Sequence, residues 1–172
     1  MLNKIKTFIS RIVMIVASIL TVIMVAGAFW QVFTRYVLGD PSVYTEELLK
    51  FLLIWVALLG AAYAFSVNEH LAIVFLKNKW KDKKALALQW LIDGLVIAFC
   101  IAVLILGGWD LSNSTMGQST PILNIPMGWV YMILPISGCL IIFFQLVNMS
   151  ERKNELENRE QNAQTEGEVI RE

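Results

Sequence analysis

The sequence predicts an all-α integral membrane protein with four transmembrane helices, and three observations support this class. Of the 172 residues, 57% are hydrophobic and only 16% are charged, and the mean hydropathy is +0.62. A soluble domain usually has about 25% charged residues, so this chain has too little polar surface for a soluble globule. The charges also lie between long apolar runs, with few inside them. Because a backbone in lipid must satisfy its own hydrogen bonds, each run is expected to be helical.

Four apolar runs are long enough to cross a bilayer, which takes about 20 residues of helix. They lie at about 12–34, 51–68, 85–109 and 126–150. The first run follows basic residues, as in a signal peptide, but a signal h-region has only about 7–15 residues. We therefore expect a retained helix and a four-helix transmembrane domain over residues 1–150. In the fourth run, Pro126 and Pro135 predict the helix start and a kink.

The basic residues predict how these helices are oriented. Most of them lie in the N-terminal segment, in the connection between the second and third runs, and at the start of the tail. By the positive-inside rule, both termini and this connection face the cytoplasm. The connection from His70 to Lys84 is expected to form an interfacial amphipathic helix, with a solvated basic loop as the alternative. Its proposed anchors to membrane lipids are Lys77, Lys79, Trp80, Lys81, Lys83 and Lys84.

The last segment, residues 151–172, differs in composition from the rest of the chain. It contains seven Glu and four Lys or Arg, a net charge of −3, so the preceding residues carry +3. This density of charge predicts a cytoplasmic tail that is a frayed helix or disordered. The zero net charge of the chain is therefore a cancellation between two different segments.

The sequence excludes several kinds of catalytic and cofactor site. Cys100 and Cys139 lie inside apolar runs, there is no CxxC pair, and His70 is the single histidine. These residues supply neither a disulfide framework, nor a histidine metal cluster, nor paired haem ligands. The phosphate-binding and nucleophile motifs GxGxxG, GxxxxGK and GxSxG are absent as well. We expect no enzymatic activity, no catalytic, metal or substrate-binding residues, no cofactor and no nucleic-acid partner.

Asp93 is the one charged residue within a predicted span. A charge at membrane depth is costly, which makes it a candidate for a proton or cation relay. The alternative is a structural role at the inner interface, where Asp93 would pair with a lysine or with a partner chain. A relay requires several ionisable groups in line, and the other spans contain none, so the structural role is favoured.

The connection between the first two spans contains further candidate residues. A glycine and a proline flank Asp40 and predict a turn. Glu46 and Glu47 follow where they would complement the N-terminal dipole of the second helix. We expect Arg35 to pair with one of these two carboxylates. A docking surface for a soluble partner would use the same residues, so both roles remain open.

The second span adds three candidates, Trp55, Gly60 and His70. Gly60 begins a run of small residues, which allow another helix to approach closely in a membrane. A lone histidine at the end of a span is more often an anchoring hydrogen-bond donor than a pH sensor or a ligand.

Together these residues resemble the small, DctQ-like membrane subunit of tripartite ATP-independent periplasmic (TRAP) transporters. The resemblance covers about residues 5–150, and its general pattern is closest to the sialic acid branch. The matching residues are Arg35-Tyr36-Val37-Leu38-Gly39, Glu46-Glu47, Trp55, Gly60-Ala61 and Glu69-His70-Leu71. One departure is that the family often has an acidic residue shortly after the histidine, where this chain has Ile73, Val74 and Phe75.

The resemblance implies a non-enzymatic scaffold subunit in a bacterial inner membrane. Its expected partners are a large DctM-like membrane subunit, which carries the substrate and sodium sites, and a periplasmic substrate-binding protein. The expected process is sodium-coupled uptake of an organic acid, with sialic acid as the candidate substrate. The alternative is a self-sufficient four-helix exporter that uses Asp93.

Overall fold

The structure is a computed structural model that describes the backbone of residues 2–40, 42–67 and 83–169, and the side chains of residues 3–40, 42–67 and 90–152. Its helices are α1 (Leu2–Phe33), α2 (Val43–Ser66), α3 (Lys83–Phe99), α4 (Gly108–Thr115), α5 (Met127–Tyr131) and α6 (Ile133–Val169). Two π-helical segments extend this set. Thr34–Leu38 continues α1, and Cys100–Gly107 joins α3 to α4.

In the described part of the chain, four continuous helical stretches are long and apolar enough to cross a membrane. They are Asn3–Leu38, Val43–Ser66, Trp90–Thr115 and Met127–Arg152. This confirms the predicted all-helical chain with four such stretches. The second stretch begins before position 51 because Glu46 and Lys50 belong to α2, where they form an ion pair one turn apart. The predicted interfacial helix, with His70, Lys77, Lys79, Trp80 and Lys81, lies outside the described residues, whereas Lys83 and Lys84 begin the backbone of α3.

Helix α6 lies at the centre of the bundle. In the apolar part of the stretch Met127–Arg152, 44% of the residues are buried, against 6% in that of Asn3–Leu38. On one side Ile133 packs with Val13 and Leu59 of α1 and α2. On another side Ile141 packs with residues of α2 and the π-helical segment, among them Cys100. Helix α6 therefore packs against several of the other helices, and the outer faces of the bundle, including Ile136 and Leu146 of α6, are exposed apolar surface.

Two glycines allow α6 to approach its neighbours closely. A Cβ atom at Gly108 would lie 2.7 Å from the Cβ atom of Leu134, and one at Gly138 would lie 2.9 Å from that of Leu104. Real Cβ contacts are longer, so only glycine fits at these crossings without displacing a neighbour. Small residues serve the same purpose in membrane helix packing generally.

The kink expected from Pro135 takes the form of an interruption. Helix α5 ends at Tyr131 and α6 begins at Ile133, so Met132 separates them. A proline lacks the N–H group that would bond to the carbonyl four residues earlier, and its ring clashes with that carbonyl. The carbonyl concerned is that of Tyr131, where the regular helix stops.

Candidate functional site

Most of the buried polar side chains of the bundle lie in two layers, one near each end. The Asp93 layer comprises Lys6, Ser10, Ser66, Asp93, Gln145, Asn148, Glu151 and Arg152, and the Glu47 layer comprises Thr34, Glu47, Ser112 and Thr120. On α2, Glu47 and Ser66 are 19 positions apart, and so are Asp93 and Ser112 on the continuous helix from α3 to α4. At about 1.5 Å per residue, the two layers are about 28 Å apart. A bilayer hydrocarbon core is about 30 Å thick. The layers therefore lie where the two edges of that core would be.

Asp93 has a partner for each of its carboxylate oxygens. Gln145 Nε2 donates to Oδ1 at 2.6 Å, and Arg152 Nη2 donates to Oδ2 at 2.9 Å. Asp93 is 1% exposed, while the Arg152 side chain remains 29% exposed. The carboxylate is thus held between two donors of α6 at one edge of the apolar region. The expected partner was a lysine or another chain, and the partner found is an arginine of the same chain.

Other contacts of the Asp93 layer join the remaining helices. The hydroxyls of Ser10 and Ser66 lie 2.7 Å apart and link α1 to α2. Asn148 Nδ2 donates to the carbonyl of Phe65 at 2.8 Å and links α6 to α2. Lys6 Nζ lies 2.7 Å from Glu151 Oε2. The first turns of α1 and the charged part of α6 therefore lie at the same end of the bundle.

Glu47 fixes the connection between α4 and α5. Its side chain is buried, and Oε2 accepts a hydrogen bond from the backbone N–H of Leu123 at 2.8 Å. Buried Thr120 stabilises the same connection, because its hydroxyl accepts a hydrogen bond from the N–H of Ile125 at 3.1 Å. Nearby, Ser112 Oγ donates to the carbonyl of Gly128 at 2.8 Å. Glu47 is therefore an internal anchor for this connection, and little of it is accessible to a partner.

The other charged residues at this end are exposed. Glu46 pairs with Lys50, with Nζ and Oε1 at 2.9 Å, and not with Arg35 as expected. Arg35 is exposed and forms no salt bridge with any residue whose side chain is described. Asp40 is exposed too, directly after a glycine with φ of +70° that ends the first membrane-length helix. Arg35 and Asp40 thus remain available to another molecule.

Trp55 and Gly60 have different surroundings on α2. The indole N–H of Trp55 donates to the carbonyl of Val130 at 3.1 Å, which joins α2 to α5. A Cβ atom at Gly60 would meet no described residue within 4 Å, so this glycine faces open space in the described structure. It is Ala62, two positions later and fully buried, that packs in the core.

Sequence reasoning missed the donors on α6. Gln145 and Arg152 are seven positions, or about two helical turns, apart, which places them on the same face of α6. That spacing was the available signal, but nothing in it identifies Asp93 as the shared acceptor. Among the described residues, no group of three or more His, Cys, Asp or Glu side chains is placed to hold a metal ion.

Comparison with known proteins places the chain among transporter components. Residues 24–153 match the family of Tripartite ATP-independent periplasmic transporters, DctQ component. The chain is 29% identical over 145 residues to the sialic acid TRAP transporter small permease protein SiaQ of Vibrio cholerae, covering 84% of this chain and 83% of that protein. It is 28% identical over 141 residues to a Haemophilus influenzae protein that is provisionally named a TRAP transporter small permease protein. This match covers 82% of this chain and 87% of that protein.

A third relative is much longer than this chain. It is the sialic acid TRAP transporter permease protein SiaT of Haemophilus influenzae, 28% identical over 113 residues, which are 66% of this chain and 18% of that protein. The family consists of transporter permease subunits and not of enzymes, located as multi-pass proteins in the bacterial inner membrane. Its tripartite system implies a large DctM-like subunit and a periplasmic binding protein as partners. Because the family match covers most of the chain and all four membrane-length helices in whole or in part, this chain belongs to the DctQ component family of TRAP transporters.

Proposed function

We propose that this chain braces the large DctM-like subunit and helps to dock the periplasmic binding protein during sodium-coupled uptake of an organic acid. One observation carries the proposal. The two buried carboxylates among the described residues both accept hydrogen bonds from donors of the chain itself, Asp93 on both oxygens and Glu47 on one. This bonding weighs against their use in holding sodium or relaying protons. The substrate and sodium sites then belong to the large subunit.

The bracing role is supported by the exposed apolar surface of α1. Phe29 is 74% exposed, Trp30 is 53% exposed and Phe33 is 47% exposed, and little of the helix is covered by the rest of the chain. On α2, the open space at Gly60 would admit a helix of another subunit. A scaffold requires such surface in addition to the faces that build its own core.

The docking role is assigned to Arg35 and Asp40, which are exposed at the Glu47 layer. We propose that this layer faces the periplasm and that both termini are cytoplasmic. The support is the positive-inside rule, together with the Lys6–Glu151 pair that brings the basic N-terminal segment and the tail to the same end. A C-terminal alkaline phosphatase fusion would then be inactive, and a fusion after Asp40 would be active. The reverse pattern would contradict this orientation.

Sialic acid is the proposed substrate class, supported by similarity to SiaQ of Vibrio cholerae. The alternative function, a self-sufficient exporter, would need Asp93 to exchange protons or cations. Its two oxygens instead accept hydrogen bonds from Gln145 and Arg152, which weighs against that use.

Reconstitution in liposomes tests the central proposal. Liposomes with this chain alone should show no uptake of sialic acid or of a dicarboxylate. Adding the large subunit and the binding protein should restore sodium-dependent uptake of sialic acid. Transport by the chain alone, lost on the substitution Asp93→Asn, would overturn the proposal and support the exporter.

A charge reversal tests the docking surface. Arg35→Glu combined with Asp40→Lys should lower uptake at limiting concentrations of binding protein and leave it unchanged at saturation. The control is Lys4→Glu at the opposite end of the bundle, with equal membrane abundance of all variants. Equal uptake by both variants at every concentration would exclude docking at these two residues.

A further inference from the structure

An open groove lies between α1 and α2 near the Glu47 layer. Its volume is about 420 Å³, within the range of about 300–1,000 Å³ typical of small-molecule sites. The floor is apolar and is formed by Met24, Val25, Ala28, Leu49 and Leu53. Such a floor suits a hydrocarbon chain.

Three polar residues line the mouth of the groove: Gln31, Glu46 and Lys50. The ion pair of Glu46 and Lys50 leaves both side chains accessible, at 52% and 69% exposure. An exposed pair of this kind stabilises a helix very little, so it can open to admit other charges. Within the described part of the chain, the Thr34 hydroxyl donates a hydrogen bond to the backbone carbonyl of Gln31, and this bond does not involve the Gln31 side chain. Its side-chain amide therefore remains available to a ligand.

The polar and apolar groups follow a fixed order along α2. Since this helix begins at Val43, Glu46 lies nearest the membrane surface, Lys50 lies one turn deeper and Leu53 deeper still. A phospholipid with an amine headgroup has the same order of ammonium, phosphate and acyl chain. The match holds whichever face of the membrane the end of α2 meets.

We propose that this groove binds one zwitterionic glycerophospholipid with a primary ammonium headgroup, as in phosphatidylethanolamine. The Glu46 carboxylate accepts hydrogen bonds from the ammonium, and Lys50 Nζ donates to the phosphate. The amide of Gln31 donates to a glycerol ester, and one acyl chain lies on the apolar floor.

This chemistry discriminates among headgroups. A choline headgroup has no N–H group to donate to Glu46. A phosphatidylglycerol headgroup has no cation, so its phosphate would bind Lys50 while Glu46 repelled it. Phosphatidylethanolamine is therefore the preferred occupant, and the preference depends on Glu46.

Native mass spectrometry of the full chain, loaded with phosphatidylethanolamine, phosphatidylcholine or phosphatidylglycerol of matched acyl chains, tests the proposal. Phosphatidylethanolamine should be retained best. Glu46→Gln should weaken its binding about tenfold, the loss of one charge-assisted hydrogen bond, and should remove the discrimination against phosphatidylglycerol. Lys50→Gln should weaken all three lipids.

Two further variants separate lipid binding from loss of structure. Leu53→Trp fills the groove floor and should lower retention of every lipid with both charges intact. Lys4→Gln, at the opposite end of the bundle from the groove, should leave retention unchanged. Phosphatidylglycerol binding as tightly as phosphatidylethanolamine, or a preference that survives Glu46→Gln, would overturn the assignment. The assignment would also be overturned if the large subunit displaced the lipid and bound the Lys50→Gln variant more weakly than the unsubstituted chain. The groove would then bind a helix of that subunit.

Discussion

The carboxylate of Asp93 and the guanidinium of Arg152 lie 2.9 Å apart and join α3 to the end of the membrane-length part of α6. Removal of one partner from a buried pair leaves an uncompensated charge, at a cost of about 3–5 kcal/mol. Because Arg152 is partly exposed, we expect Arg152→Gln to lower the free energy of unfolding by about 2–4 kcal/mol. The measurement is reversible denaturant unfolding in detergent micelles.

The double variant provides the control for this prediction. Asp93→Asn removes the stranded charge, and its side-chain oxygen can still accept a hydrogen bond from Gln145. Asp93→Asn combined with Arg152→Gln should therefore be more stable than Arg152→Gln alone. Additive losses from the two substitutions would show that the pair is not coupled.

Glu47 is expected to order the connection between α4 and α5. Glu47→Ala leaves the N–H of Leu123 without its acceptor, at a cost of about 1–3 kcal/mol, and should speed hydrogen exchange at that amide. Glu47→Gln keeps one acceptor oxygen and should have a smaller effect. The matched control is Glu46→Ala, whose exposed ion pair with Lys50 stabilises the helix very little. Equal exchange rates at Leu123 in the Ala variants of both glutamates would contradict this role.

Two glycines should respond oppositely to the same substitution. Gly108→Ala places a Cβ atom against Leu134 and is expected to cost about 1–3 kcal/mol through overpacking. Gly60→Ala meets open space and, within the isolated chain, should be neutral or slightly stabilising. Thermal unfolding of the purified chain measures both. If Gly108→Ala were as stable as Gly60→Ala, the close crossing of α4 and α6 would be wrong.

Trp55 is expected to hold α2 against α5 through its indole N–H. Trp55→Phe keeps most of the aromatic packing and removes the hydrogen bond to the carbonyl of Val130. Hydrogen bonds between membrane helices contribute about 0.6–1.7 kcal/mol, so a loss of about 1 kcal/mol is expected in denaturant unfolding. Trp129→Phe is the comparison, because Trp129 is 58% exposed. A larger effect at Trp129 would argue against the contact.

The sequence was sufficient to predict the helical class, because long uncharged runs leave few other structures in lipid. A search for uncharged runs alone begins the second span only after Lys50. The carboxylates of Glu46 and Glu47 already indicate an earlier helix start, and α2 begins at Val43.

The side-chain partners were less predictable than the helices. Glu47 was interpreted as a cap of α2 or a partner of Arg35, but it accepts from a backbone N–H 76 positions later in the chain. Asp93 likewise depends on residues 52 and 59 positions away. Such pairs are fixed by how the helices cross, and periodicity within a single helix contains no record of that geometry.

The central position of α6 has a consequence for synthesis of the protein. Several groups of the earlier helices have their partners on segments made later: Asp93 on α6, Glu47 before α5, and Trp55 on α5. The ribosome therefore delivers three helices to the membrane before the residues that complete their hydrogen bonds exist. Asp93 has neither of its α6 donors until Gln145 emerges, and it lacks the second until Arg152 follows. A chain truncated before α6 should thus be recognised by membrane quality control as unfinished, even though its first two helices already pack against each other.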